Sequence, residues 1–175
     1  MRESGLTRTR TGLYGGSFNP VHYGHLRTAE EIRERAALDE VWLLPAHQPP
    51  HKEAHDVAPA RDRLRMLELA LGGAPGLRIE PVELERRGPS YTIDTVRMLK
   101  ARHPERHFVL ALGMDAFREM HTWHRFAELP AECDLVVTSR PPDTVEPGPG
   151  ALERATSSIA VRDAFRYEPD IRSFR

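Results

Sequence analysis

One cysteine, Cys133, is present among 175 residues, so the chain can form no disulfide with itself and suits a reducing compartment. At the start of the apolar run DLVVTS it reads as a small buried hydrophobe, not a nucleophile. No apolar stretch approaches the roughly 20 residues that span a bilayer. The opening MRESGLTRTR is polar and basic, unlike the apolar core of a signal peptide. A cytoplasmic protein without a membrane partner is expected. Charge of one sign is also missing: 25 Lys and Arg face 26 Asp and Glu, for a net charge of -1. No global field draws in nucleic acid, and any anion site must be local. There is no internal repeat, no P-loop and no GxGxxG fingerprint. The length suits a single domain, 1–175, and is short for two.

What is present is a regular alternation. Short apolar runs at 11–15, 41–45, 77–84, 108–112 and 134–139 read as strands. Between them lie helical periods. Leu26, Ala29, Ile32 and Ala36 mark the first, with Pro20 placed to open it. Leu64, Leu67 and Leu71 mark the second, which GGAPG terminates, and Ile93, Val96 and Leu99 the third, with Ser90 or Thr92 as cap. Strand–helix alternation predicts an α/β fold with a doubly wound, parallel, five-stranded sheet, Rossmann-like over 9–140. A short C-terminal helical segment is expected within 141–175. Such sheets bind ligands beyond the carboxyl ends of their strands.

The residues rich in chemistry fall at those ends. After the first strand comes GGSFNPVHYGH, residues 15–25. Gly15 and Gly16 let backbone turn tightly and approach a ligand, and the helix that follows aims its free N–H groups at the same spot. His22 and His25 fall three apart on its first turn, with Gly24 leaving room between them. Imidazoles there can donate to phosphate oxygens or meet charge on a leaving pyrophosphate. Two other readings stay open: a plain glycine turn with capping histidines, and a His-x-x-His metal pair lacking further ligands.

This stretch resembles the (T/H)xGH signature of the nucleotidyltransferase superfamily, whose members join a nucleoside triphosphate to a phosphate-bearing acceptor and release pyrophosphate. A second superfamily motif, SSTxxR, is matched near the C-terminus by SSIAVR, residues 157–162, with isoleucine in place of threonine. The resemblance implies that Gly15, Gly16, Ser17, Phe18, His22, His25, Gly113, Asp115, Ser157, Ser158 and Arg162 bind ATP. It assigns His22, His25 and Arg162 to catalysis and makes 141–175 a phosphate clamp.

Four further stretches narrow the acceptor: PAHQPPHK (45–52), SYTIDT (90–95), GMDAF (113–117) and HTWHRF (121–126). Together they resemble the nicotinate mononucleotide adenylyltransferase family, which makes nicotinate adenine dinucleotide on the way to NAD. Lys52 would meet the acceptor's phosphate. Ser90, Tyr91 and Thr92 open a helix whose N–H groups can take the nicotinate carboxylate. Trp123 would stack on the pyridine ring, Asp115 would accept from ribose hydroxyls, and Arg140 lies on the substrate side. The acceptor phosphate attacks the α-phosphate of ATP in line; being ionised already, it needs no strong base, and the sequence shows no nucleophile–base pair. Mg²⁺ is expected to arrive with ATP, so no metal ligands are assigned. The partners are therefore ATP and nicotinate mononucleotide, with a homodimer left open. The alternatives are another adenylyltransferase, such as one acting on phosphopantetheine, or a catalytically weak nucleotide-binding protein.

Overall fold

Six strands form one all-parallel sheet in the order β3-β2-β1-β4-β5-β6. The computed structural model describes residues 8–47, 57–86, 89–138 and 165–168. The strands are β1 Thr9–Gly16, β2 Glu40–Pro45, β3 Leu77–Ile79, β4 Arg106–Gly113, β5 Asp134–Thr138 and β6 Phe165–Glu168. The helices are α1 Tyr23–Arg35, α2 Ala60–Leu71, α3 Thr92–Arg102, α4 Met114–Glu119 and α5 Leu129–Glu132, with short 3₁₀ turns at Met120–Thr122 and Phe126–Glu128. The sheet order reverses between β1 and β4, and a Rossmann-like fold opens its ligand crevice at that switch point.

Alternation along the strands builds two cores. Leu13, Trp42, Leu44, Leu110 and Leu112 face one side, where Ile93, Val96 and Leu99 of α3, Met114 and Phe117 of α4 and Leu129 of α5 cover them. Tyr14, Val41, Leu43, Val109, Ala111 and Val136 face the other, covered by Ala29 and Ile32 of α1 and Leu67 of α2. Ile93 and Leu99 are 0% exposed. Burying a side chain of that size contributes about 2–3 kcal/mol. Of the apolar positions read from the helical periods, Ala29, Ile32, Ala36, Leu67, Leu71, Ile93, Val96 and Leu99 pack into these cores, whereas Leu26 and Leu64 belong to neither. Gly72 adopts φ 52° and ends α2 by returning its N–H to the Glu68 carbonyl, as the GGAPG stretch implies.

Several boundaries differ from the sequence expectation. The first helix begins at Tyr23, with His22 as its N-cap, and Pro20 lies in the turn before it. The third strand is only Leu77–Ile79; Val82–Glu85 turn instead, after Pro81. The N-cap of α3 is Tyr91, and no side chain caps that helix, so neither Ser90 nor Thr92 does so. The sheet carries a sixth strand, Phe165–Glu168, paired to β5. It lies in the segment expected to be helical. An edge strand that short is specified by the ladder it joins rather than by its own residues.

Candidate active site

The carboxyl ends of β1, β2 and β4 meet at one edge of the sheet, where Gly16 pairs with Pro45 and Tyr14 with Ala111. A cavity of about 380 Å³ opens there. Leu13, Leu110, Leu112 and Val96 form its apolar base, and Gly15, Gly16 and Gly113 contribute strand ends. Ser90, Tyr91, Thr92, Trp123 and His124 complete its lining. An apolar pocket with a few convergent polar groups is the usual form of a small-molecule site.

The start of α3 supplies the donors. Its first bonded amides are those of Asp94 and Thr95, which both donate to the Tyr91 carbonyl. The N–H groups of Thr92 and Ile93 precede them and have no place in the helical ladder. The Ser90 hydroxyl is buried without a hydrogen-bond partner among the described residues. Tyr91 stacks on His124, with ring centroids 4.4 Å apart. Trp123 packs partly buried against the core and lines the cavity. Its loop is pinned from below. Arg125, at φ 53°, donates from Nε and Nη2 to Glu128 at 2.6 and 2.7 Å. Arg97 of α3 donates to Glu128 and Glu132, and Lys100 to Glu132. The hydrogen bonds from Arg125 and Arg97 hold the Glu128 carboxyl down at about 2.

Glu83 and His124 are polar cavity residues to which the sequence alone assigns no role. Glu83 lines the pocket, and Thr95 Oγ1 donates to its carboxylate at 3.0 Å. Burial raises the Glu83 pKa, while the Thr95 hydrogen bond and the Arg86 charge oppose the rise. The signal for Glu83 was faint, one acid in the charged run ELERR. His124 was visible in HTWHRF, but only its partner Tyr91 gives it a place.

The other half of the site is the start of α1. His22 N donates to His25 Nδ1 at 3.2 Å, and the two rings stack 3.8 Å apart. Because Nδ1 accepts, the neutral His25 ring carries its proton on Nε2 and is itself a donor. Gly24 makes the stack feasible: a Cβ there would lie 3.1 Å from His22 Nδ1. Tyr14, Phe18 and His25 continue the file of rings, at 5.9 Å and 5.1 Å.

The glycines do something other than turn. Gly15 and Gly16 are the extended last residues of β1, and the left-handed backbone belongs to Phe18, at φ 45°. A Cβ on Gly16 would come within 3.1 Å of the Phe18 ring, whereas one on Gly15 would meet nothing within 4 Å. Gly16 therefore makes room for a core side chain, and Gly15 leaves space open on the cavity wall. The Phe18 side chain is 0% exposed and belongs to the core, so only its backbone can face a nucleotide. Ser17 sits between these residues on the same loop. Asp115 is not on the cavity wall: its side chain is 89% exposed, and its oxygen lies 3.9 Å from Arg118. Lys52, Arg140, Ser157, Ser158 and Arg162 lie outside the described residues.

Among the described residues no three His, Cys, Asp or Glu side chains gather as a metal cage, and no helix is long and apolar enough to cross a membrane. Cys133 is 6% exposed, and burial pushes its thiol up to about 12, consistent with a packing role.

The site and fold can be set beside known proteins. The family described as Cytidylyltransferase-like matches residues 13–174. A protein of Geobacillus kaustophilus (strain HTA426) named "Probable nicotinate-nucleotide adenylyltransferase" is 44% identical over 168 residues, which cover 93% of this chain and 78% of that one. A protein of the same name from Pseudomonas aeruginosa (strain UCBPP-PA14) is 43% identical over 155 residues, covering 88% and 72%. Among solved structures, Plasmodium falciparum nicotinic acid mononucleotide adenylyltransferase complexed with NaAD gives a TM-score of 0.76 at 17% identity, over 95% of this chain and 77% of that one. A likeness at that identity speaks for the fold alone. The sequence relatives, the family match and the shared fold agree: this chain belongs to the cytidylyltransferase-like family and, within it, to the nicotinate-nucleotide adenylyltransferases.

Proposed function

We infer that this chain transfers the adenylyl group of ATP to nicotinate mononucleotide, giving nicotinate adenine dinucleotide and pyrophosphate in NAD biosynthesis. One observation carries the reading beyond family membership: a histidine-capped helix start and an apolar cavity flanked by a second helix start meet at the end of β1. The first suits a polyphosphate, the second a flat ring bearing a carboxylate.

In this reading the triphosphate lies along Gly15–Phe18 and the start of α1. His25 donates from Nε2, and His22 stacks against it as charge builds on the departing pyrophosphate. Ser157, Ser158 and Arg162 close on the far phosphates, and Gly113 and Asp115 belong to the adenosine side. The nicotinate ring enters the cavity beside Trp123, with its carboxylate at the Thr92 and Ile93 amides and the Ser90 hydroxyl. Those donors would be left facing the NH₂ group of an amide, which penalises nicotinamide mononucleotide. Lys52 and Arg140 take the acceptor phosphate side. Catalysis rests on positioning and charge neutralisation, because the attacking phosphate is already ionised. Mg²⁺, carried in on ATP, supplies further neutralisation of phosphate oxygens.

Pyrophosphate release decides the matter. With ATP and Mg²⁺ present, nicotinate mononucleotide should support it, nicotinamide mononucleotide should do so poorly, and phosphopantetheine not at all. Release with phosphopantetheine alone, or with no acceptor, would overturn the reading.

A further inference from the structure

Arg63 is the one charged side chain of α2 that is fully buried, at 1% exposure. It occupies the apolar stripe one turn before Leu67. Its Nε donates to the Ala58 carbonyl at 2.9 Å, Nη1 to the Ser17 carbonyl at 2.7 Å and Nη2 to the His47 carbonyl at 3.0 Å. No carboxylate pairs with it among the described residues. Desolvation lowers its pKa, but a guanidinium remains charged under ordinary conditions. Buried charges are normally paired within the protein. Here three carbonyl dipoles hold the cation and none of them neutralises it.

The position of the charge is informative. Ser17 belongs to the phosphate loop, His47 follows β2, and Ala58 precedes α2. Asn19 Oδ1 adds a second tie by accepting the Ala58 N–H at 3.0 Å. In a trans peptide the C=O and N–H point in opposite directions. Drawing the Ser17 carbonyl toward Arg63 therefore turns the Phe18 N–H the other way. That N–H makes no hydrogen bond among the described residues. A charge-assisted bond to the carbonyl also polarises the same peptide and strengthens its N–H as a donor.

We propose that Arg63 is a positioning residue for the triphosphate: it orients and polarises the Ser17–Phe18 peptide toward the phosphates, and the polyanion balances a charge that meets no carboxylate among the described residues. The proposal rests on the adenylyltransferase reading. It adds a residue that touches neither the cavity nor the histidine pair.

The test separates anion recognition from general folding. Calorimetry on the full chain with Mg²⁺ would measure inorganic tripolyphosphate and adenosine binding to wild type, Arg63→Met and Arg63→Lys, alongside kcat and KM. Arg63→Met should weaken tripolyphosphate binding about tenfold or more, equal to about 1.4 kcal/mol, and leave adenosine binding within about twofold. Its turnover should fall through kcat as well as through KM for ATP. Arg63→Lys keeps the charge but not the three diverging donors, so its tripolyphosphate affinity should lie between the other two. That comparison serves if Arg63→Met does not fold. Unchanged tripolyphosphate binding in both variants, or equal loss of adenosine and tripolyphosphate, would overturn the proposal and leave Arg63 a structural tie. A wild type that bound neither probe would overturn the nucleotide reading itself.

Discussion

Gly24 occupies the second position of α1, beneath the His22 ring, and alanine there is expected to raise stability while lowering activity. The backbone at Gly24 is helical and needs no positive φ. Alanine in a helix interior is favoured over glycine by about 0.5–1 kcal/mol, and the first turn should realise the lower end. For a chain of this size that is a rise in Tm of about 1–2 °C. The cost falls on the histidines. The new Cβ would stand 3.1 Å from His22 Nδ1 and 3.2 Å from its Cε1. Ordinary contact requires the ring to retreat by about half an ångström, because it is the free end of a flexible side chain. A misplacement of about 1 Å costs about a hundredfold in rate, so half of that corresponds to about tenfold in kcat/KM. Thermal unfolding and pyrophosphate release on the same preparation check both halves. Wild-type turnover in Gly24→Ala would show that the ring position of His22 is not used. A fall in Tm would show that the helix start has no room for a methyl group.

Three other outcomes follow from the geometry. His25→Ala removes the Nε2 donor and should lower kcat about a hundredfold or more, while ATP binding by calorimetry changes far less; wild-type turnover would remove histidine from the mechanism. Glu83 is raised by burial, so the folded protein binds its proton at a pH where the unfolded chain has lost it. Stability should therefore drain away as pH rises from the usual carboxylate value through the raised one, and the loss is complete above it. Glu83→Gln should accordingly gain stability over wild type at neutral pH and not in acid, by urea unfolding; an equal difference at both would refute this. Cys133, with its thiol pushed to about 12, should resist alkylation in the native state at mildly alkaline pH and react once denaturant is added. Rapid native labelling would contradict its burial.

The sequence by itself determined the layering of this protein. Alternating runs with periods near two and near 3.6 are local signals, and they located four strands and three helices closely, with the third strand overrun. The His22–His25 spacing was equally legible, because residues three apart on one turn must share a side. Ser90–Thr92 and Trp123 were recognised as short motifs, and the fold brings them to one cavity. Tertiary structure alone decided the rest. Phe18 reads as a loop residue until its ring is seen filling the core beside Tyr14, and only then does Gly16 acquire its reason. That the Asp115 carboxylate stands in solvent beside Arg118 and off the cavity wall is likewise set by where α4 lies. The strand Phe165–Glu168 exists through pairing with β5, which its own four residues do not announce. Arg63 carries no signal of its own in the sequence; its partners are 46, 16 and 5 residues away. Periodicity records which face of an element is buried. It cannot record which distant carbonyls a buried charge will find, because that depends on how loops far apart in the chain come together.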